Sequence, residues 1–551
     1  MVKDIWRMES KGSTCAKVIH SRIFNIALLC LFVLCAGIYN YGLRRSFWPD
    51  YEYCDLVYYR FLDELHGHNV SLARVYYTAA YIPYRLFGCS LKAVRVCAVT
   101  IYQLIIFFSS IAVIYSFKKK CFEWYKLGIF AFIAVILHPG SSPFCGQYHT
   151  LFHQYPYDVH APSAIFATLS IMLLCVYQGI TERKYKYVLK VIILAVIVVG
   201  YKLGDFLYIL DFVGPLICIG LIYLWKEKRK AFFALIYGVI AAVALLHVIS
   251  FVVPSLEPLF VHTSITYGTW TNGSTVYGNN GFANLSNIWN YVSTTTIELL
   301  ALFNIDISEK SMLSISTLLA GIRLILVIFL FVCSFRTIID AIRKEKDYKS
   351  LDFVNIVLAL GILFNFFLVM FSSYGSGTNC IRYMTLILFY GAIFLARQSE
   401  NIIAKLYGDV DLKSKLYFFL LFSFAIVANM ATFWKEDEYV ADYEPAIKSV
   451  SSFIAENHLG NGIGGQGYSS ILTIIGEGDY AVVAGKVTDE GLDFYIRSYN
   501  QVPATFNYIV DWPNGYASFD AETIYRCLGE PDAVYEMNGF VIYYYPEGFG
   551  T

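Results

Sequence analysis

The sequence predicts a mostly α-helical membrane protein, with about eleven transmembrane helices followed by a small α/β domain at the C-terminus, outside the cytoplasm. Three observations predict this. First, hydrophobic residues make up 57% of the 551 residues and charged residues only 15%, whereas a soluble domain carries roughly a quarter charged residues to cover its surface. Second, the apolar residues fall in runs of about 17–23 bracketed by basic clusters, the length that crosses a hydrocarbon core roughly 30 Å thick. Third, these runs stop near Trp434, and the rest of the chain is polar enough to be soluble. The expected division is therefore 1–434 in the membrane and 435–551 in water. The formal net charge of zero says nothing about nucleic acid, since no basic face is left over once the loops are sorted.

In chain order, the expected spans begin near Ile23, Cys97, Tyr125, Pro162, Val188, Phe206, Ala231, Met312, Asp352, Ile381 and Leu416. The first follows a basic leader (Lys3, Arg7, Lys11, Lys17, Arg22), but YGLRRSFWPD after it has no small-x-small cleavage site. It therefore reads as a retained signal anchor. Lys and Arg set the orientation. One set of connections reads KKKCFEWYK, TERKYK, WKEKRK, RTIIDAIRKEKDYK and RQSENIIAKLYGDVDLKSK. The opposite set includes Pro139 to His160, with no Lys or Arg, and Pro254 to Ser311, where Lys310 is the sole basic residue. The positive-inside rule then puts the N-terminus in the cytoplasm and the C-terminal domain outside a plasma membrane crossed many times. Long outer loops are expected at 41–95, 138–160 and 253–311.

So many spans imply a site in or at the membrane, and polar groups collect on the outer side. The first loop carries Asp50, Glu52, Asp55, Asp63 and Glu64 among Arg44, Arg45, Arg60, Arg74 and Arg85, with Tyr58 in DLVYYRFLDEL. Read as an interfacial loop, its acids and arginines pair off and its tyrosines anchor at the headgroups. Read as a site, one carboxylate is a general base and Arg side chains hold phosphate. The second loop has His138, His149, His153 and His160 with Asp158. This spacing fits no metal template, and a divalent metal stays open. YKLGDFLYILDFVGP is a polar elbow between two spans, with Lys202, Asp205 and Asp211. Ionisable groups at that depth are costly, so they are functional candidates beside a plain Lys–Asp pairing. The loop 253–311 is rich in Gly, Asn, Ser and Thr and too long for a connector, so it either covers substrate or is disordered. In SSYGSGTNCIRYM, Arg382 and Tyr383 open a span at headgroup level, where a lipid phosphate also lies.

Cysteine adds little. The 13 Cys are scattered, several inside spans as small hydrophobes, and the terminal domain has Cys527 alone. No internal repeat of transporter type stands out. In the terminal domain, ADYEPAIKSVSSFIAENHLG reads as an amphipathic helix ending at Gly460, and FDAETIYRCLG as a second helix. AVVAGKV, FNYIVDW and FVIYYYP read as strands. GIGGQG has a nucleotide-site look but is placed after a helix with no acidic residue at the expected distance, so a packing or ligand-facing loop is expected.

Several segments together resemble the multi-spanning glycosyltransferases of the GT-C fold class, in particular bacterial members that use polyprenyl-phosphate sugars. YYTAAYIPYRLFGCSLKAVRV, DLVYYRFLDEL, HAPSAIFATLSIMLL, GDFLYILDFVGPLI and CIRYM lie in that group's order. NHLGNGIGGQGYSSILTII and YRCLGEPDAVYEMNGFVIYYYP are similar to the small outer domain that closes such chains. The group's acidic signature is represented only by Asp50-x-Glu52, with Asp55 beyond it. The resemblance implies transfer of a sugar from a polyprenyl-phosphate donor to a glycan or lipid-linked acceptor at the outer face, in cell-envelope polysaccharide assembly. On this reading Asp55, ahead of Asp50, is the base. Arg382, Lys202, Arg44 and Arg45 hold the donor phosphate, and His160, Asp205, Tyr383 and Tyr58 line the substrate site. Membrane lipids are the other partners. The competing expectations are a transporter or flippase of a lipid-linked glycan, which needs no essential carboxylate, and a non-catalytic scaffold.

Overall fold

The computed structural model describes residues 161–226, 288–305, 315–343, 352–372, 383–407 and 444–550, with short breaks inside these ranges, and Gly238. The spans expected from Ile23, Cys97, Tyr125, Ala231 and Leu416 lie outside the described residues.

Helices α1 (Ala161–Gly179) and α2 (Arg183–Leu203) pack against each other. The next elements are α3 (Phe206–Tyr208), a π-turn at Ile209–Val213 and α4 (Gly214–Lys226). After α5 (Ile288–Leu302) come α6 (Ile315–Arg343), α7 (Phe353–Met370) and α8 (Leu386–Tyr407). Helix α5 lies in the segment expected to be a covering or disordered loop. Its Leu299 and Leu302, with Phe303 and Ile305 beyond, join the main apolar core.

The centre of the bundle is α7. It packs against α4, α5, α6, α8 and the π-turn, and every residue from Val354 to Leu363 is buried. Asp352 starts it as N-cap, its Oδ1 accepting the Val354 N–H at 3.1 Å, which satisfies one orphan donor of the first turn. Gly361 is where α7 comes closest to its neighbours. A Cβ there would lie 2.7 Å from the Tyr390 ring of α8 and 2.8 Å from the Asp211 carbonyl oxygen of the π-turn.

The hydroxyl-bearing residues show how the bundle handles an apolar medium. Thr168, Ser170, Ser334 and Thr337 each donate to a backbone carbonyl four residues earlier, at 2.6–2.8 Å, so these four hydroxyl protons are satisfied within their own helices. Outward surfaces are apolar. Helix α6 exposes Leu318, Ile325, Ile328, Val332, Phe335 and Ile339, and α2 exposes Val188, Val191, Ile192 and Val199. Faces of that size on long helices suit lipid rather than water. Among the described residues, two helical segments, Ala320–Arg343 and Phe353–Met370, are long and apolar enough to cross a membrane.

Residues 444–550 build a mixed sheet in the order β3-β2-β1-β4-β6-β5. Its strands are β1 (Gly462–Gly464), β2 (Val482–Thr488), β3 (Gly491–Phe494), β4 (Thr505–Asp511), β5 (Ala533–Met537) and β6 (Phe540–Gly550). β1 is parallel to both β2 and β4, while the outer pairings are antiparallel. Helix α9 (Glu444–Glu456) covers one face through Ile447, Val450 and Ile454, against Tyr468, Trp512 and Phe540. Helix α10 (Ala521–Leu528) covers the other through Ile524, against Phe506, Ile509 and Tyr543. Strict alternation would put Phe506 and Ile509 on opposite faces. A register shift between Phe506 and Tyr508 brings both to the α10 side, as a bulge does.

Candidate functional site

Of the residues singled out from the sequence, Arg44, Arg45, Asp50, Asp55, Tyr58, His160, Asp205 and Arg382 lie outside the described residues. Lys202 has its backbone in the last turn of α2. Tyr383 lies in a 3₁₀ turn just before α8 and is 6% exposed, within the main core. It thus anchors the start of α8 by packing.

The described part of the elbow is its π-turn. Asp211 is 2% exposed, and its Oδ1 accepts a hydrogen bond from Asn365 Nδ2 of α7 at 2.7 Å. One turn earlier, the hydroxyls of Tyr208 and Ser170 of α1 are 2.9 Å apart and hydrogen-bonded. Tyr208 also stacks on Phe212, with ring centroids 5.9 Å apart. The chain bends into this packing because Gly200 leaves room. A Cβ there would lie 2.8 Å from the Tyr208 ring. A π-turn inserts one residue into the helical ladder, and such turns gather at functional sites. The sequence flagged Asp211 as an ionisable group in an apolar run, but gave no sign of its partner.

A second polar cluster sits at the other end of α7. Arg397 of α8 donates from Nε to Asn355 Oδ1, from Nη1 to Cys175 Sγ at 3.7 Å, and from Nη2 to Asp352 Oδ2. These bonds tie α1, α7 and α8 together and leave the Arg397 side chain 3% exposed and that of Asp352 32% exposed. Asn355 and Asn365 are spaced about 15 Å along the α7 axis, at about 1.5 Å per residue. Each hooks a different neighbour. Glu298 of α5 is a further buried carboxyl, 2% exposed, that sequence reasoning passed over. Its surrounding loop is Gly- and Asn-rich, which hid the helix carrying it.

In the terminal sheet, the glycine run is not placed as the sequence suggested. Gly462–Gly464 does not merely follow a helix: it is β1, the strand between β2 and β4. The reason is packing. A Cβ on Gly462 would fall inside the Tyr508 ring, and one on Gly464 would press Ser469, Val482 and Val510 at 3.1 Å. The glycines are there for close approach by their neighbours, consistent with a packing role for the run. Asp511 closes β4. Its Oδ1 accepts the Phe519 N–H at 2.8 Å, and burial pushes the carboxyl above its ordinary range, while the backbone N–H groups of Phe519 and Trp512 draw it back. Among the described residues, no group of three or more His, Cys, Asp or Glu side chains could hold a metal ion.

No family model matches the sequence, and no curated protein does. Solved structures do. The fold is similar to that of the crystal structure of ArnT from Cupriavidus metallidurans bound to undecaprenyl phosphate, with a TM-score of 0.52 at 10% identity. The match covers 94% of this chain and 97% of that one. The apo state of the same ArnT aligns over the same shares with a TM-score of 0.46 at 12% identity. The GT-C-type fold expected from the sequence is thereby found in a solved neighbour, and the chain has the fold of a multispan membrane protein.

Proposed function

We propose that this chain transfers a sugar from a polyprenyl-phosphate-linked donor to a glycan or lipid-linked acceptor at the outer face of the membrane. The observation that carries the reading is the shared fold, over nearly the whole chain, with a structure that holds undecaprenyl phosphate. The sequence adds the chemistry. In the reaction the bond between the sugar's anomeric carbon and the phosphate oxygen breaks, an acceptor hydroxyl oxygen takes its place, and polyprenyl phosphate leaves. Negative charge grows on that phosphate, so cations preorganised at outer helix ends lower the barrier. Arg382 and Lys202 are assigned this role from the sequence, with Arg44 and Arg45 from the first loop. The acceptor's proton goes to a carboxylate of the first outer loop, Asp55 ahead of Asp50. His160, Asp205, Tyr58 and Tyr383 are assigned to the rim that receives the sugar and acceptor. The terminal sheet stands outside the cytoplasm, as the basic-loop asymmetry requires.

The test separates binding from turnover. Undecaprenyl phosphate binding to the purified chain is measured by native mass spectrometry, and transfer is measured in membranes carrying labelled lipid-linked sugar. Arg382→Ala should weaken lipid binding in a folded protein. Asp55→Asn should keep the lipid and lose transfer by about 10²–10⁴-fold, the usual contribution of a general base. Transfer at the native rate by both Asp50→Asn and Asp55→Asn would overturn the catalytic assignment and move a transporter ahead. A reporter fused after Thr551 that reads as cytoplasmic would overturn the placement of the whole site.

A further inference from the structure

Asp211 and Asn365 are far apart in sequence yet meet side chain to side chain at 2% and 1% exposure. One hydrogen bond between them is plain, from Asn365 Nδ2 to Asp211 Oδ1 at 2.7 Å. The other half of the same amide is not satisfied by any group acting in its usual role. Asn365 Oδ1 is buried and receives no donor among the described residues. An ionised carboxylate offers acceptors only, so it cannot serve that oxygen. It would also be an anion with no ion pair among the described residues, since the salt bridges there are Arg336–Asp340 and Arg397–Asp352. A buried charge without a partner is among the most costly arrangements a protein can hold, and in an apolar bundle there is no water to soften it.

One assignment removes both defects together. We infer that Asp211 is a neutral carboxylic acid that donates its own proton to Asn365 Oδ1, closing a reciprocal acid–amide pair that fastens the π-turn to α7. A carboxylic acid and a primary amide are planar groups with one donor and one acceptor side by side, so each completes the other. The pair explains how the helical ladder tolerates an inserted residue at this point: the turn that carries Asp211 is held from outside by α7. It also separates Asp211 from the carboxylates assigned above to proton transfer. A carboxyl that already holds its proton, and spends it on Asn365, cannot take one from an acceptor hydroxyl. That last consequence rests on the proposed transfer reaction, while the pairing itself does not.

The experiment uses the full chain purified in detergent at neutral pH, with Asp211→Asn, Asp211→Leu and Asn365→Leu. Asparagine at 211 keeps a donor and an acceptor in the same places, so Asp211→Asn should melt with the native protein. Asp211→Leu and Asn365→Leu should melt several degrees lower. The native-minus-Asp211→Asn infrared difference spectrum should show the carbonyl stretch of a protonated acid and no carboxylate stretch. In Asn365→Leu that acid band should move to higher frequency, because its acceptor is gone. A carboxylate band in place of the acid band overturns the inference, as does an Asp211→Asn protein melting as low as Asp211→Leu. An acid band that Asn365→Leu leaves unmoved overturns the reciprocal pairing. If the leucine variants fail to fold, Asp211→Asn and its spectrum still decide. None of these readouts requires sugar transfer, so failure of the proposed reaction and failure of the pair are distinguishable.

Discussion

Replacing Arg397 by Met keeps most of the side chain's apolar stem while deleting the guanidinium, and the structure allows its cost to be worked out. Two groups lose their partner. Asn355, 8% exposed, is left with a buried Oδ1 that no longer accepts, a loss of about 1–3 kcal/mol. Asp352 loses a charged partner. Breaking a fully buried pair costs about 3–5 kcal/mol, but the Asp352 side chain is 32% exposed and still caps α7 through Val354. Solvent therefore takes up part of that charge, and about 1 kcal/mol is the better figure. The contact to Cys175 Sγ is weak and is left out. The sum is about 3 kcal/mol, or roughly two decades in the folded-to-unfolded ratio at about 1.4 kcal/mol per decade. Arg397→Lys should fall between the two, since one ammonium cannot reach Asp352, Asn355 and Cys175 at once. The assay is unfolding of the full chain in detergent for Arg397→Met, Asp352→Asn and the double variant. A coupling of about 1 kcal/mol between the two sites is expected from the double-mutant cycle. Additive effects, or an Arg397→Met protein as stable as the native one, would refute the reasoning.

Gly361→Ala should destabilise the bundle by about 1–3 kcal/mol, because the new methyl meets the Tyr390 ring and the Asp211 carbonyl at under 3 Å in a packed interior; Tyr390→Leu in the same chain should recover part of the loss in melting temperature, and no recovery would argue against the contact. Asp511, whose carboxyl burial holds above its ordinary range, gives a signed pH dependence. A raised folded-state value means the native sheet holds more protons than the unfolded chain. Its contribution is thus full at pH below the unfolded carboxylate value and lost as pH rises through the folded one. The stability of the native protein relative to Asp511→Asn should therefore rise on acidification from neutral pH. Hydrogen exchange of peptides covering 505–511 measures it, and a relative stability that falls instead would refute the assignment.

Much of the helical frame was readable because its cause is local. A long apolar run bounded by basic clusters favours a long helix, and α1, α2, the α3–α4 segment, α6, α7 and α8 begin within a few residues of the expected positions. β4 and β6 were equally plain, since FNYIVDW and FVIYYYP are dense in β-branched and aromatic residues. β1 was not, because glycine has no strand preference of its own. Gly462 and Gly464 are in a strand only because Tyr508 on β4 and Ser469 beyond β1 need the room, and no local pattern states that. The short edge strands β3 and β5, GLDF and AVYEM, were not expected either. At the elbow, Asp211 stood out as an acid among apolar residues, whereas Asn365 is a neutral amide inside FVNIVLALGILFNFFLVM. What gives Asn365 meaning is a partner 154 residues away, and the π-turn that brings the two together leaves no mark in composition. The catalytic and phosphate-binding expectations centre on Asp50, Asp55 and Arg382, outside the described residues, so they rest on the sequence and on the proposed chemistry.

The two amides of α7 also set an order of events while the chain is being made. A membrane protein leaves the ribosome from its N-terminus, and its helices meet in that sequence. When α7 is made, Asp211 has already been made, so Asn365 finds its partner waiting. Asn355 does not, because Arg397 is still 42 residues from being delivered. For that interval α7 has its polar contact at the π-turn and still lacks the one to Arg397. It can be docked by the pair at the π-turn and closed afterwards by Arg397, as a latch follows a hinge. A nascent chain stopped before α8 should already hold the first contact and still lack the second.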